Sequence, residues 1–220
     1  MFRVILYGQW KWSRLIVVVG TIAAFALPII SVQGATGGGA DASPLRAQEL
    51  LRTVQSWGTL YPVLAAAVGL LVAIATWAAD HRGRHIHALT LPIPRWRYVL
   101  LRFGAGATLL AGPTLAVLVG ALLATATATI PSGLQGYPVA LALRFAVAAC
   151  VAYAVFFAIS AGTARTAGII LGTMAALVLV QVLASLADIP LNLVDVLQVV
   201  ILNWPGPLAV FTGRWMLIDV

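Results

Sequence analysis

Three histidines and an aspartate stand close together in the stretch DHRGRHIHALTLPIPRWRYVLLR, residues 80–102, and could in principle bind a metal ion. His81 and His85 are four residues apart and would share one face of a helix, with Asp80 and His87 nearby. No HExxH sequence accompanies them, and the arginines of the same stretch oppose the binding of a cation. Histidines on a wetted helix that packs against a partner or lipid headgroups explain the cluster better, so no metal site is predicted.

The rest of the sequence offers no other arrangement for catalysis. It has no GxxxxGK[ST] loop to hold nucleotide phosphates and no GxSxG turn to present a nucleophilic serine. The single cysteine, Cys150, lies in an apolar run and cannot form an intramolecular disulfide. We therefore predict that the chain is not an enzyme and holds no cofactor of its own.

Long apolar runs flank the histidine stretch and define the class of protein. Of the 220 residues, 62% are hydrophobic and 9% are charged, and the mean hydropathy is +1.02. A helix needs about 20 mostly apolar residues to cross the hydrocarbon core of a bilayer. We predict five transmembrane helices, at Leu15 to Val32, Gly58 to Ala79, Val99 to Thr125, Tyr137 to Ser160 and Ala167 to Ala187. The sequence thus predicts an all-α integral membrane protein.

The tail of the chain is apolar but interrupted. Pro205 and Pro207 oppose a continuous helix, and the residues from Leu208 onward are too few to span a bilayer. We predict an outer re-entrant region and an incomplete sixth span over residues 188–220. The whole chain, residues 1–220, is then a single transmembrane domain.

The net charge of +7 follows a membrane topology rather than a nucleic-acid surface. Basic residues precede the first run and cluster between the second and third, whereas the loops on the opposite side are balanced or uncharged. By the positive-inside rule, the N-terminus and residues 80–98 are predicted to face the cytoplasm. We expect a multi-pass protein of the bacterial inner membrane, with no nucleic-acid partner.

The first 14 residues mix apolar and basic side chains at helical spacing. They suit an interfacial amphipathic helix on the inner leaflet. They equally suit a tryptophan-anchored, positively charged flank of the first span. Both alternatives place the same side chains among the lipid headgroups: Arg3, Trp10, Lys11, Trp12 and Arg14.

Arg144 is an ionisable side chain well inside a predicted span. Arg144 lies about two helical turns from the outer end of the fourth span, shallow enough for its guanidinium to reach the interface. It is predicted either to make a structural hydrogen bond or to line a substrate path. The spans contain no carboxylate, so the energy for any transport is expected to come from outside the bilayer.

The segment between the second and third spans has the composition of a docking element. Pro92 and Pro94 end the helix that precedes them and fix a bend before the third span. Basic residues and the apolar Ile86, Leu89 and Leu91 offer contacts to a partner protein.

This segment contains, in order, an acidic residue, a glycine, a leucine-containing stretch and Pro-x-x-Arg. The pattern resembles the signature of the membrane-spanning subunits of type-2 ABC exporters. Here these positions are Asp80, Gly83, Leu89 with Leu91, and Pro92 to Arg95, with Arg102 where that family often has a basic residue entering the next span. The resemblance implies that residues 80–98 form a coupling helix for cytoplasmic ABC ATPase subunits, which would hold ATP and magnesium. The coupling residues it implies are Asp80, Arg82, Gly83, Ile86, Leu89, Leu91, Pro92, Pro94 and Arg95.

The resemblance also implies a second permease subunit, either another copy or a homologue, and export of a hydrophobic or amphipathic substrate by alternating access. That family commonly has six full spans, one more than the sequence predicts here. A non-transporting membrane subunit that scaffolds a larger membrane complex is the alternative. An intramembrane enzyme built on the histidines is the least favoured interpretation.

Overall fold

The computed structural model describes residues 1–36, 44–82, 94–128, 134–161 and 208–219, with a few single positions between 172 and 206. This part of the chain is mostly helical, and its helices are α1 (Phe2–Thr36), α2 (Pro44–Gly58), α3 (Leu60–Arg82), α4 (Arg95–Leu109), α5 (Ala111–Thr127) and α6 (Pro138–Ala161). A 3-10 helix at Ala209–Phe211 and two short strands, β1 (Gln135–Gly136) and β2 (Ile218–Asp219), complete the described elements.

Four helical stretches are long and apolar enough to cross a membrane, namely Phe2–Gln33, Leu51–Ala78, Trp96–Thr127 and Pro138–Ala161. They coincide with the first four predicted spans, so the prediction of a multi-pass helical membrane protein is confirmed at this level. The fifth predicted span, Ala167 to Ala187, lies largely outside the described residues. The number of five spans and the cytoplasmic N-terminus stay predictions.

Residues 1–14 and the first span belong to one helix. α1 runs without interruption for 35 residues and passes through Pro28. At 1.5 Å per residue it is about 52 Å long, against about 30 Å for the hydrocarbon core of a bilayer. Of the two alternatives for the N-terminal segment, the structure shows a flank that continues the span. A helix that is separate from the span is not present in residues 2–36.

The predicted third span consists of two helices. α4 ends at Leu109 and α5 begins at Ala111, and Leu110 joins them with near-helical angles of φ −70° and ψ −16°. Pro113 explains the interruption, because it has no N–H for the carbonyl of Leu109 and its ring crowds that carbonyl. At the junction itself, the N–H of Leu110 donates to the carbonyl of Ala107, three residues back rather than the four of an α-helix, at 3.2 Å.

The spans form a bundle in which α1 packs along α5 and α3 packs along α6. Glycines let the backbones approach closely at both crossings. A Cβ atom on Gly69 of α3 would lie 2.6 Å from the carbonyl oxygen of Ala149 and 2.9 Å from the Cβ of Ala152. Gly120 of α5 faces the carbonyl oxygen of Phe25 in the same way. Because lipid tails are as apolar as the helices, such close packing is what holds membrane helices together.

Residues 208–219 form a cap on the end of the bundle where α3 and α6 begin. β2 pairs antiparallel with β1, with Gln135 opposite Asp219, and the N–H of Tyr137 donates to the carbonyl of Leu217 at 2.8 Å. This terminal cap corrects two expectations. Its residues are a 3-10 turn and a strand rather than part of a sixth helical span, and the fold includes a small two-stranded sheet. Gly213, with φ of 81°, holds a left-handed conformation that does not continue a helix.

Candidate functional site

The candidate site lies where α3 ends and α4 begins, on either side of the predicted coupling segment. Asp80 and Arg82 lie in the last turn of α3, and Arg95 is the first residue of α4. Pro94 is exposed and precedes α4 with extended angles, φ −61° and ψ 137°, while the helix end predicted before Pro92 lies outside the described residues. The other predicted coupling residues lie outside the described residues: Gly83, Ile86, Leu89, Leu91 and Pro92. His85 and His87 lie outside them as well.

A buried arginine stands between the two helices that flank this segment. Arg102 of α4 is only 6% exposed. Its guanidinium carbon lies 5.0 Å from the ring centroid of Trp77, near the end of α3, and 5.4 Å from that of Tyr98. Its Nη1 also donates to the Tyr98 hydroxyl at 2.6 Å. The cation–π contact with Trp77 therefore joins α3 to α4.

α1 reaches the same place through a polar contact. Gln9 is 4% exposed, and its Nε2 donates to the backbone carbonyl of Arg102 at 3.0 Å. Ser13, which is also buried, donates from its Oγ to the carbonyl of Gln9 at 2.8 Å. Among the residues that the structure describes, the Oε1 atom of Gln9 has no hydrogen-bond partner. The hydrogen bond from Gln9 fixes the backbone of α4 against α1.

Aromatic rings extend the contact to α6. Trp77 lies 5.1 Å from Phe157, and Phe103 lies 5.2 Å from both Tyr153 and Phe157, measured between ring centroids. The indole Nε1 of Trp77 donates to the carbonyl of Phe157 at 3.2 Å, and the Tyr153 hydroxyl donates to the carbonyl of Phe103 at 3.2 Å. All four spanning segments thus meet around one cluster, which we call the junction cluster: Gln9, Trp77, Tyr98, Arg102, Phe103, Tyr153 and Phe157.

The junction cluster combines aromatic rings with a small number of polar groups. These polar groups include an amide, a guanidinium and the hydroxyls of Tyr98 and Tyr153, and none of the cluster's members is a carboxylate or a thiol. Across the described part of the chain, no group of three or more histidine, cysteine, aspartate or glutamate side chains is placed to hold a metal ion. Sequence reasoning noted Arg102 only as a basic residue entering a span and missed Trp77, because nothing local links residues 25 positions apart. The spacing of Tyr98 and Arg102, one helical turn, was the available signal.

Arg144 lies at the other end of the bundle and binds the terminal cap. Its Nε donates to the carbonyl of Val210 at 3.3 Å, and its two Nη atoms donate to the carbonyls of Arg214 and Thr212. Its guanidinium also lies 4.6 Å from the ring centroid of Trp215. Arg144 was predicted either to make a structural hydrogen bond or to line a substrate path. The structure shows the hydrogen bonds, and a place on a substrate path stays a prediction.

The terminal cap is also anchored to α1 and α3. Trp215 is 3% exposed and stacks on Tyr61 of α3, with ring centroids 6.4 Å apart and planes within 7°. The hydroxyls of Tyr61 and Ser31 of α1 share a hydrogen bond of 3.3 Å. The terminal cap therefore contacts α6 through Arg144 and α3 through Tyr61, and Tyr61 links it to α1 through Ser31.

The predicted interface residues all lie on the outside of α1. Arg3, Trp10, Lys11, Trp12 and Arg14 are exposed. Trp10 and Trp12 keep 41% and 45% of their surface accessible, and both are amphipathic residues that suit the headgroup region. Their contact with lipid headgroups stays a prediction.

Comparison of the chain with known proteins found no matching family model, no similar curated protein and no similar solved structure.

Proposed function

We propose that this chain is the membrane-spanning subunit of an ATP-driven exporter of the type-2 ABC class. Residues 80–98 dock onto a cytoplasmic ABC ATPase, which binds ATP and magnesium. The observation that carries the proposal is the contact between Trp77 and the buried Arg102. It ties together α3 and α4, the helices that lead into and out of residues 80–98, which we call the docking segment.

The junction cluster gives this proposal a mechanism. A force on the docking segment acts on the end of α3 and the start of α4. Because Trp77 and Arg102 hold these helices together, the two move as one body. Gln9 carries the displacement to α1, and the bond from Trp77 to the carbonyl of Phe157 carries it to α6. Rigid-body movement of packed helices is an established way to open one side of a membrane protein and close the other.

The remaining parts of the proposal follow from charge and composition. The excess of basic residues before the first span and in residues 80–102 supports a cytoplasmic location for both, in a bacterial inner membrane. The apolar spans suit a hydrophobic or amphipathic substrate. An exporter of this class works with a second membrane subunit, which is another copy of this chain or a homologue.

Two variants separate docking from coupling. In the first, residues 83–93 are replaced by a glycine-serine linker of equal length; in the second, Trp77 is replaced by leucine. The chain is purified from its native host with a C-terminal tag, and ABC ATPase subunits are identified by mass spectrometry. We expect the linker variant to lose the ATPase. Trp77→Leu should keep the ATPase bound but lose the stimulation of ATP hydrolysis that the membrane subunit confers.

A matched control is Leu115→Ala, which removes an apolar side chain that is 58% exposed on α5, away from the junction cluster. It should leave both binding and stimulation unchanged. If the linker variant still binds the ATPase, residues 83–93 are not needed for docking and this part of the proposal is wrong. Stable isolation with a complex that contains no ATPase would favour the scaffolding alternative instead.

A further inference from the structure

Two adjoining cavities run along the outside of α1, facing the junction of α4 with α5. The first has a volume of about 400 Å³ and begins at Arg3 and Tyr7. The second, of about 390 Å³, continues past Val17 and Ile22 to Gly112. Both are lined by Trp10, Thr108 and Leu109, so they form one continuous groove, which we call the α1 groove. Each cavity has the size of a small-ligand site.

The α1 groove is polar at one end and apolar along the rest of its length. Arg3 and Tyr7, at the N-terminal end, are exposed. Further along, the hydroxyls of Thr21 and Thr108 donate to carbonyls of their own helices, at 2.7 Å each. These hydroxyls are therefore already satisfied and offer little to a polar ligand. A ligand that matches the groove has a charged head and an apolar tail.

The charge at the polar end selects an anion. No aspartate or glutamate precedes Asp41 in the sequence, whereas Arg3, Lys11 and Arg14 all lie on the N-terminal part of α1. Arg14 follows Arg3 by three helical turns, which places it on the same side of the helix. The head of the ligand therefore meets a positive surface on α1.

The length of the α1 groove matches one leaflet of a bilayer. Tyr7 and Ile22 are 15 residues apart on a continuous helix, a distance of about 22 Å at 1.5 Å per residue. Half of a bilayer, including its headgroups, measures about 20 to 22 Å. A single phospholipid would extend along the α1 groove from end to end.

We propose that the α1 groove is a binding site for one anionic phospholipid. The phosphate binds at Arg3, Trp10 lies at the boundary between headgroup and tail, and one acyl chain lies along Val17 and Ile22 to Gly112. The site does not depend on the proposed transport function, since it requires only that α1 spans a bilayer.

The test uses the full chain reconstituted in vesicles that contain phosphatidylglycerol and phosphatidylcholine in equal amounts. The protein is extracted in mild detergent, and native mass spectrometry counts the lipids that remain bound. We expect one phosphatidylglycerol per chain, retained about fivefold more than phosphatidylcholine, because one arginine near anionic lipid contributes about that factor. Arg3→Gln should still retain a lipid but lose the preference.

A second pair of variants tests the acyl part of the site. A Cβ atom on Gly112 would lie 3.4 Å from the Oγ1 of Thr21, so a leucine there fits at its base and extends into the α1 groove. Gly112→Leu should retain on the order of tenfold less lipid, the effect of displacing one or two methylene groups. Gly8→Leu is the matched control, because a Cβ atom on Gly8 meets nothing within 4 Å and the residue does not line the groove. Thr108→Leu is a second variant that fills the α1 groove, and it does so from an exposed position on α4.

Three results would contradict the proposed site. The wild-type chain retains no lipid; or Gly112→Leu and Thr108→Leu both retain as much lipid as Gly8→Leu; or Arg3→Gln prefers phosphatidylglycerol as strongly as the wild type does. A bound mass that corresponds to a free fatty acid would also contradict the proposal. The docking experiment on the ATPase has no bearing on these outcomes, so the two proposals fail independently.

Discussion

The contact between Trp77 and Arg102 yields the sharpest prediction, because its strength can be measured separately from everything else these residues do. The single variants Trp77→Leu and Arg102→Met and the double variant form a thermodynamic cycle. The free energy of unfolding of each is measured by titrating the protein in mild detergent with sodium dodecyl sulfate. The departure from additivity gives the coupling free energy of the pair.

The structure sets the magnitude of this coupling. A cation–π pair contributes about 0.5 to 1 kcal/mol at exposed sites and about 2 kcal/mol when desolvated. Arg102 is 6% exposed and lies 5.0 Å from the Trp77 ring, which argues for the upper figure. The same guanidinium also lies over Tyr98 and donates to its hydroxyl, so its charge is shared. We expect a coupling of about 1 to 2 kcal/mol.

The single variants should differ from each other. Trp77→Leu leaves the Arg102 charge buried, breaks the bond to the carbonyl of Phe157 and leaves space among the rings, so it should cost about 3 to 5 kcal/mol. Arg102→Met removes the buried charge along with its contacts and should cost less. A coupling below about 0.5 kcal/mol, the usual limit of additivity, would refute the assignment of this pair as the connection between α3 and α4. A control cycle of Arg102→Met with Leu115→Ala should stay within that limit.

Three further substitutions test other parts of the fold. Arg144→Met should release the terminal cap, at a cost of about 2 to 4 kcal/mol for the lost charged hydrogen bonds, and hydrogen exchange of the terminal cap should rise; Arg214→Met, which leaves the backbone acceptors intact, should change neither. Gly69→Ala should cost about 1 to 3 kcal/mol of unfolding free energy, whereas Gly8→Ala, at an open position within α1, should be neutral or stabilising by up to about 1 kcal/mol; equal losses would contradict the close crossing of α3 and α6. Tyr61→Phe should lose about 1 kcal/mol in the same titration, and no loss would show that its hydroxyl bond to α1 is dispensable.

Local patterns predicted the spans, and long-range contacts explain what they missed. The first four spans and the start of α4 after Pro94 follow from runs of apolar residues and from the geometry of proline. Pro113 was visible in the third run, but prolines are tolerated within membrane helices, so hydropathy gave one span where two helices meet. The sequence pattern showed where an interruption would fall but not whether Pro113 causes one, since α1 passes through Pro28 without a break.

The terminal cap and the junction cluster had no comparable signal. Residues 208–219 have no helical or strand periodicity, and their conformation depends on the side chain of Arg144, which is 66 to 70 residues away. Trp77 and Arg102 lie on opposite sides of the docking segment, and only the folded bundle brings them together. A buried arginine near the end of a span indicates a partner, but the residue type of that partner cannot be read from spacing.

The separation of Arg144 from the terminal cap has a consequence for the order in which the protein is made. Val210 is synthesised 66 residues after Arg144, which takes about 3 to 13 s at 5 to 20 residues per second. During that interval the three carbonyls that later accept from the guanidinium do not yet exist. Until then Arg144 needs water or lipid headgroups as hydrogen-bond partners, and its position near the beginning of α6 puts these within reach of a long side chain. The last described residues of the chain thus complete the bundle that the earlier ones begin.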